Sequence, residues 1–161
     1  NILNEKYGMT SIQSYTTRPE RYPGETGHVF LTDDEFDKLE NPVAYTEYQG
    51  HRYCATAQQV EENDIYIIDP DGVCRFLREY HGSKKPVIVY VSADKKTLMR
   101  RMLQRGDGYF ASRRRLKKDS AYFGKFLADQ SGSSSFYPLY NPDGKAEYCA
   151  KKIWKIAKER G

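Results

Sequence analysis

"SYTTRPERYPGETGHVF", residues 14–30, holds two arginines, two prolines, two glycines and a histidine. That composition excludes a helix, since proline removes a backbone donor and glycine is costly in a helix interior. Arg18 and Arg21 stand three apart on a turn stiffened by Pro19 and Pro23. Both guanidinium forks can therefore be held toward one point, as a phosphate dianion requires, with less entropy lost on binding. A solvated turn with structural prolines accounts for the same residues without a ligand, so the flanking sequence has to decide.

Upstream, "ILNEKY" followed by Gly8 reads as the end of a helix with its glycine stop, and residues 11–15 as a short strand. Downstream, Thr32 caps "DDEFDKLE" with Glu35 three residues on, a capping box, and "AYTEYQGHRY" (44–53) alternates around Gly50 as a hairpin. Thr56 caps "AQQVEEN". "DIYIIDPDGV" (64–73) reads as a strand ending at Asp69, apolar enough to be parallel and buried on both faces, and "VCRFLREY" as the helix after it.

A second buried strand is expected at 86–94, then the basic helix "KKTLMRRMLQRG", a basic-aromatic helix over 112–127 and a Ser/Gly-rich loop at 130–136. "FYPLYN" follows as an edge strand because of Pro138, and "AEYCAKKIWKIAKER" closes the chain as an amphipathic helix. This alternation predicts an α/β fold, a mostly parallel sheet with helices on both faces, where ligands gather at the carboxyl ends of strands. Asp69 and the 14–30 stretch both fall at such ends. Asp69, followed by "PDG", either anchors Mg²⁺ or a substrate hydroxyl or caps the next helix.

A chain of 161 residues suits one domain, and no run of about 18 apolar residues occurs to span a membrane. A cytoplasmic location is expected, with no membrane partner. Cys54, Cys74 and Cys149 form no CxxC and, with three scattered histidines, no zinc pattern; they read as buried, reduced thiols, and no metal ligands are assigned. The net charge is only +4, yet residues 95–118 hold ten Lys/Arg against the single acid Asp107, which points to an anionic partner unless it is a solvated helix face. The aromatics around it match no nucleic-acid-binding pattern, so nucleic acid is not the expected partner.

"SYTTRPERYPGETGHVF", "YQGHRYCAT", "IIDPDGV" and "RMLQRGD" occur in the order and approximate spacing of guanylate kinases, and from about residue 10 onward the chain resembles that family. The resemblance implies a P-loop kinase type of fold, with a small β-rich monophosphate-binding subdomain at about 14–55 and a helical lid at about 105–125. It implies ATP and Mg²⁺ as cofactors, a nucleoside monophosphate, GMP above others, as acceptor, and transfer of the ATP γ-phosphoryl group to it. Arg18 and Arg21 are similar to the pair that grips the monophosphate, Tyr53 to a hydroxyl donor to the same phosphate, and Ser14 to a residue near the base. Asp69 matches the acid at the strand end. Arg101 and Arg105 resemble the nucleotide-side arginines, Arg114 or Arg115 the lid arginine, and Asn141 the residue near the donor adenine.

Three departures accompany the resemblance. His28 replaces a phosphate-binding tyrosine, which would make binding more pH-sensitive. Ala44 stands where members carry a glutamate for the guanine edge, and Ala55 where they carry Ser/Thr, with Thr56 a possible substitute and Glu47 expected on the other face. No G-x-x-x-x-G-K-[ST] occurs in the 161 residues, so the strand and phosphate loop that cradle donor phosphates are expected upstream of Asn1. Two further resemblances follow: ribose 1,5-bisphosphate phosphokinases, which need no guanine contact, and the guanylate-kinase-like modules of scaffold proteins, which bind phosphopeptides without turnover.

Overall fold

The computed structural model describes residues 1–48, 50–130 and 135–160; of the Ser/Gly-rich stretch, positions 131–134 lie outside the described residues. The chain divides into two compact units, Leu3–Lys84 and a second that begins at Lys85. Near the start, α1 (Ile2–Tyr7) is stopped by Gly8, whose φ of 65° lets its N–H reach the Asn4 carbonyl at 3.0 Å.

In the first unit β1 (Ser14–Thr16) lies between β2 (His28–Phe30), to which it is parallel, and β4 (His51–Thr56), to which it is antiparallel. β3 (Pro42–Tyr48) is the antiparallel neighbour of β4 and completes the order β2-β1-β4-β3. The expected hairpin is thus present, with Gly50 at φ 78° in its turn. The Thr32 capping box and the Thr56 cap also form, the latter completed as a box by Gln59. The Thr32 hydroxyl accepts from Glu35 N–H at the head of α2 (Asp33–Phe36), and the Thr56 hydroxyl accepts from Gln59 N–H at 3.3 Å at the head of α3 (Ala57–Glu62). α2 ends at Phe36, which is buried under the Arg52 guanidinium at 4.3 Å, while that guanidinium pairs with Asp33 and Asp37.

The mostly parallel sheet is corrected by these pairings. The four-stranded sheet is mixed, because a tight hairpin can only join antiparallel strands, and the other sheet has two strands. The strand expected over 64–69 is also absent. Ser11 and Ile65 form one parallel bridge, Ile67 is 85% exposed, and among the described residues no strand lies beside Tyr66–Ile68 to give their backbone a ladder. The chain instead enters α4 (Pro70–Glu79) directly, with Pro70 in its first turn and Asp69 as its cap, accepting from Gly72 N–H at 2.7 Å.

The core of this unit joins Ile12, Val43, Ala44 and Ala55 to Val60 of α3 and to Phe76 and Tyr80, whose rings stack at 5.1 Å. A bulge between Val43 and Thr46 puts an extra residue in β3, so that Val43 and Ala44, though consecutive, are both buried. Ala44 has φ 56°, and its N–H donates to Glu79 Oε2 of α4 at 2.9 Å.

In the second unit β5 (Ile88–Ser92) pairs in parallel with β6 (Phe136–Tyr140). Pro138 is tolerated there as expected of a two-stranded edge. The expected helices form as α5 (Lys95–Gln104), α6 (Tyr109–Gln130) and α7 (Ala146–Arg160), with Asp94 capping α5 through Thr97 N–H at 2.8 Å. No helix of the described residues is long and apolar enough to cross a membrane. Cys54 and Cys149 are buried, but Cys74 is exposed on the polar face of α4, which corrects the expectation of three buried thiols. Burial pushes the Cys54 thiol up to about 12, so it stays protonated and unreactive.

Candidate functional site

The stretch 14–30 builds its site around a carboxylate the sequence motif barely advertises. Arg18, at the end of β1, grips Glu25 with both terminal nitrogens, at 3.1 and 2.8 Å. Arg21 approaches the same carboxylate at 3.6 Å and donates its backbone N–H to it at 2.8 Å. The Arg18 and Glu25 side chains are 10% and 6% exposed, whereas that of Arg21 is 72% exposed. Glu25 thus fixes the Arg18 fork and the turn carrying Arg21, while the Arg21 guanidinium stays open to solvent. The Arg18 Nε–H is buried and has no hydrogen-bond partner, an orphaned donor inside a cationic cluster.

Strand register supplies the rest. Ser14 and His28 are register partners in the parallel pair, and Ser14 Oγ lies 2.9 Å from His28 Nδ1. The His28 ring meets the Tyr53 ring edge-on at 5.9 Å, Arg18 lies over Phe30 at 5.2 Å, and the Tyr53 side chain is close to Arg18. Ser14, Arg18, Arg21, His28 and Tyr53 are therefore brought together. Burial, and then the positive charge of Arg18, lowers the His28 pKa, so the ring is neutral at pH 7. In the tautomer whose Nδ1 accepts the Ser14 hydroxyl, Nε2–H is a donor.

Thr56 and Asp69 are not part of this cluster: the Thr56 hydroxyl caps α3, and Asp69 caps α4. Ala44 and Ala55, assigned by resemblance to the guanine edge, are 3% and 0% exposed in the core. Glu47 is exposed and accepts from the Tyr45 hydroxyl at 2.7 Å. Glu25 and Phe30 lie inside the quoted motif, but sequence reasoning assigns neither a role. Arg21 and Glu25 at i,i+4 on a turn were the available signal.

In the second unit Arg101 donates to the Asn141 carbonyl at 3.1 Å and pairs with Asp143 at 3.2 Å. Asn141 Oδ1 is buried without a partner, an acceptor suited to an exocyclic amine such as that of adenine. Arg105 pairs with Asp107, Arg115 with Asp119 at 3.5 Å, and Arg114 is exposed. For Mg²⁺, no group of three or more His, Cys, Asp or Glu side chains is gathered among the described residues. A nucleotide-borne Mg²⁺ draws most of its ligands from phosphate and water and needs only one or two carboxylates, a demand Asp69 could meet in part.

No family model matches the chain, and no curated protein matches it in sequence. Among solved structures, the guanylate kinase from Anaplasma phagocytophilum superposes with a TM-score of 0.61 at 19% identity, covering 99% of this chain and 78% of that one. The fold is guanylate-kinase-like. It is mixed α/β, and the arginine cluster lies on the turn between β1 and β2.

The pKa of Glu25 gives a direct test of the cluster. Its carboxyl is lowered from 4.5 to about 2, first by the Arg18 bonds and then by the Arg21 N–H. A depressed folded-state value stabilises the protein fully above about pH 4.5 and less as pH falls through about 2. Denaturant unfolding at pH 6, 4, 3 and 2 should therefore show Glu25→Gln less stable than the parent at pH 6, with the gap closing by pH 2. A gap independent of pH would show that the Glu25 charge does not hold the turn.

Proposed function

We propose that this chain carries the acceptor-phosphate and donor-side residues of a nucleoside-monophosphate kinase that moves the γ-phosphoryl group of ATP to a monophosphate oxygen. The observation that carries the proposal is the Arg18–Glu25–Arg21 cluster. A buried carboxylate orients one guanidinium, a second is left open, and the neighbouring His28 and Tyr53 can donate to the same anion. Such preorganised donors neutralise an incoming phosphate without reorganising at the moment of reaction. On the donor side, Asn141 receives the adenine amine and Arg101 the phosphates, with Arg105 and Arg114 or Arg115 completing charge neutralisation. ATP with Mg²⁺ supplies the transferable phosphoryl group.

GMP is the acceptor the family resemblance favours. A second reading rests on the burial of Ala44 and Ala55, which leaves no carboxylate or hydroxyl at those two positions for a guanine edge. In that reading the acceptor is a sugar phosphate, as in ribose 1,5-bisphosphate phosphokinases, held through its phosphate. Calorimetric titration with GMP, AMP and ribose 1,5-bisphosphate separates the two. GMP at least tenfold tighter than AMP supports the guanylate reading, and tight ribose bisphosphate with weak GMP supports the second. Binding of a phosphoserine peptide in preference to all three would replace both with a phosphopeptide module.

A further inference from the structure

The basic segment 95–118 presents two faces with different fates. Arg101 turns toward Asn141 and Asp143, whereas Lys95, Lys96 and Arg100 of α5 face Arg113 and Lys117 of α6 across an open cleft of about 800 Å³. Arg100 shares Asp143 with Arg101, but Lys95, Lys96, Arg113 and Lys117 have no carboxylate partner among the described residues, and no acid lines the cleft. Its floor is apolar, made of Met99, Leu103, Leu116 and Ala121, with Tyr109 at one side. Leu103 is 43% exposed and Tyr109 52%, so apolar groups of the lining meet water among its cations.

We infer that this cleft is a docking groove for an acidic amphipathic helix of a partner protein. An apolar floor within a charged rim is the anatomy of a protein interface, and a groove between two helices accepts a third through anchors at i, i+3, i+4 and i+7. The lining of α6 from Tyr109 to Ala121 rises about 18 Å, room for roughly three turns of such a helix. The unpaired lysines and arginine specify its charge, and Met99 gives the floor a side chain able to adapt to the anchor. A nucleic-acid backbone would use the cations and leave the floor wet, and a flat lipid surface would not enter a concave site.

The probe is a fluorescein-labelled synthetic helix with Leu at i, i+3, i+4 and i+7 and Glu on its polar face, titrated with the full chain and read by anisotropy. A permuted peptide of identical composition and no apolar stripe is the control. Micromolar binding of the amphipathic peptide is expected, at least tenfold tighter than the permuted one. It should weaken at least tenfold in Lys96→Glu/Lys117→Glu and, independently, in Leu103→Asp. All three positions are solvent-facing, and circular dichroism verifies that the variants keep their helices. Equal binding of both peptides, or indifference to Leu103→Asp, would reduce the site to a non-specific cationic surface and overturn the inference. Displacement of the peptide by ATP alone at equal ionic strength would overturn it too, by assigning the cleft to a small anion.

Discussion

Truncating Arg18 to alanine should lower affinity for a phosphomonoester by roughly ten- to a hundredfold and leave ATP affinity nearly unchanged. Each charge-assisted hydrogen bond of an arginine fork contributes about 1.5–3 kcal/mol, and Arg18 is the buried member of the pair, held by Glu25 at 2.8 and 3.1 Å. Because that fork is shared with Glu25, the net loss corresponds to about one such bond rather than two. Arg21→Ala should cost less: its guanidinium is 72% exposed and gives up less freedom and less desolvation either way. Arg18→Lys separates fork from charge. It keeps the cation but loses the bidentate geometry, so its affinity should stay near that of the alanine variant. Titration of ribose 5-phosphate and of ATP against all three variants reads the difference, with circular dichroism to check that Glu25, deprived of its partner, has not loosened the turn. Parallel losses for both ligands would move Arg18 from phosphate ligand to structural residue.

The parts of this fold that sequence made legible are those fixed by local rules. Thr32 with Glu35 forms the capping box its spacing announces, Thr56 caps α3, Gly8 stops α1, and Gly50 turns the hairpin. Each depends on residues within a few positions of one another. What failed depended on partners elsewhere. "YII" before Asp69 has strand propensity, yet a strand exists only where another lends it hydrogen bonds, and among the described residues the bonds from Thr10 and Ile12 end at Ile65, where the Ser11 bridge lies. The site divides the same way. The pairing of Arg18 with Arg21 could be read from the turn, but Glu25 at its centre, the neutral state of His28 and the capping roles of Thr56 and Asp69 emerge only from packing. Ala44 is assigned to the base only by resemblance, and the bulge in β3 that buries it beside Val43 is set by pairing with β4, which resemblance does not carry.

Ala44→Glu carries that last point to its consequence. Resemblance alone makes this substitution a gain of guanine recognition; the structure makes it a severe destabilisation, by about 3 kcal/mol or more. Ala44 is 3% exposed in the cluster with Phe76 and Tyr80, so a carboxylate there is desolvated without a cation to meet it. Glu79 already places a carboxylate 2.9 Å from the Ala44 nitrogen, so the new charge would face a like one. The backbone at φ 56° is one that larger side chains adopt reluctantly. Denaturant unfolding should show the midpoint falling sharply, whereas Glu47→Ala on the exposed part of the same strand should change stability by about 0.5 kcal/mol or less. GMP and AMP titrations on whatever folded population remains complete the experiment. A well-folded variant with raised GMP preference would return position 44 to the base-binding surface. Loss of stability with no gain in GMP preference places acceptor choice on the phosphate cluster and on residues outside the core of β3 and β4.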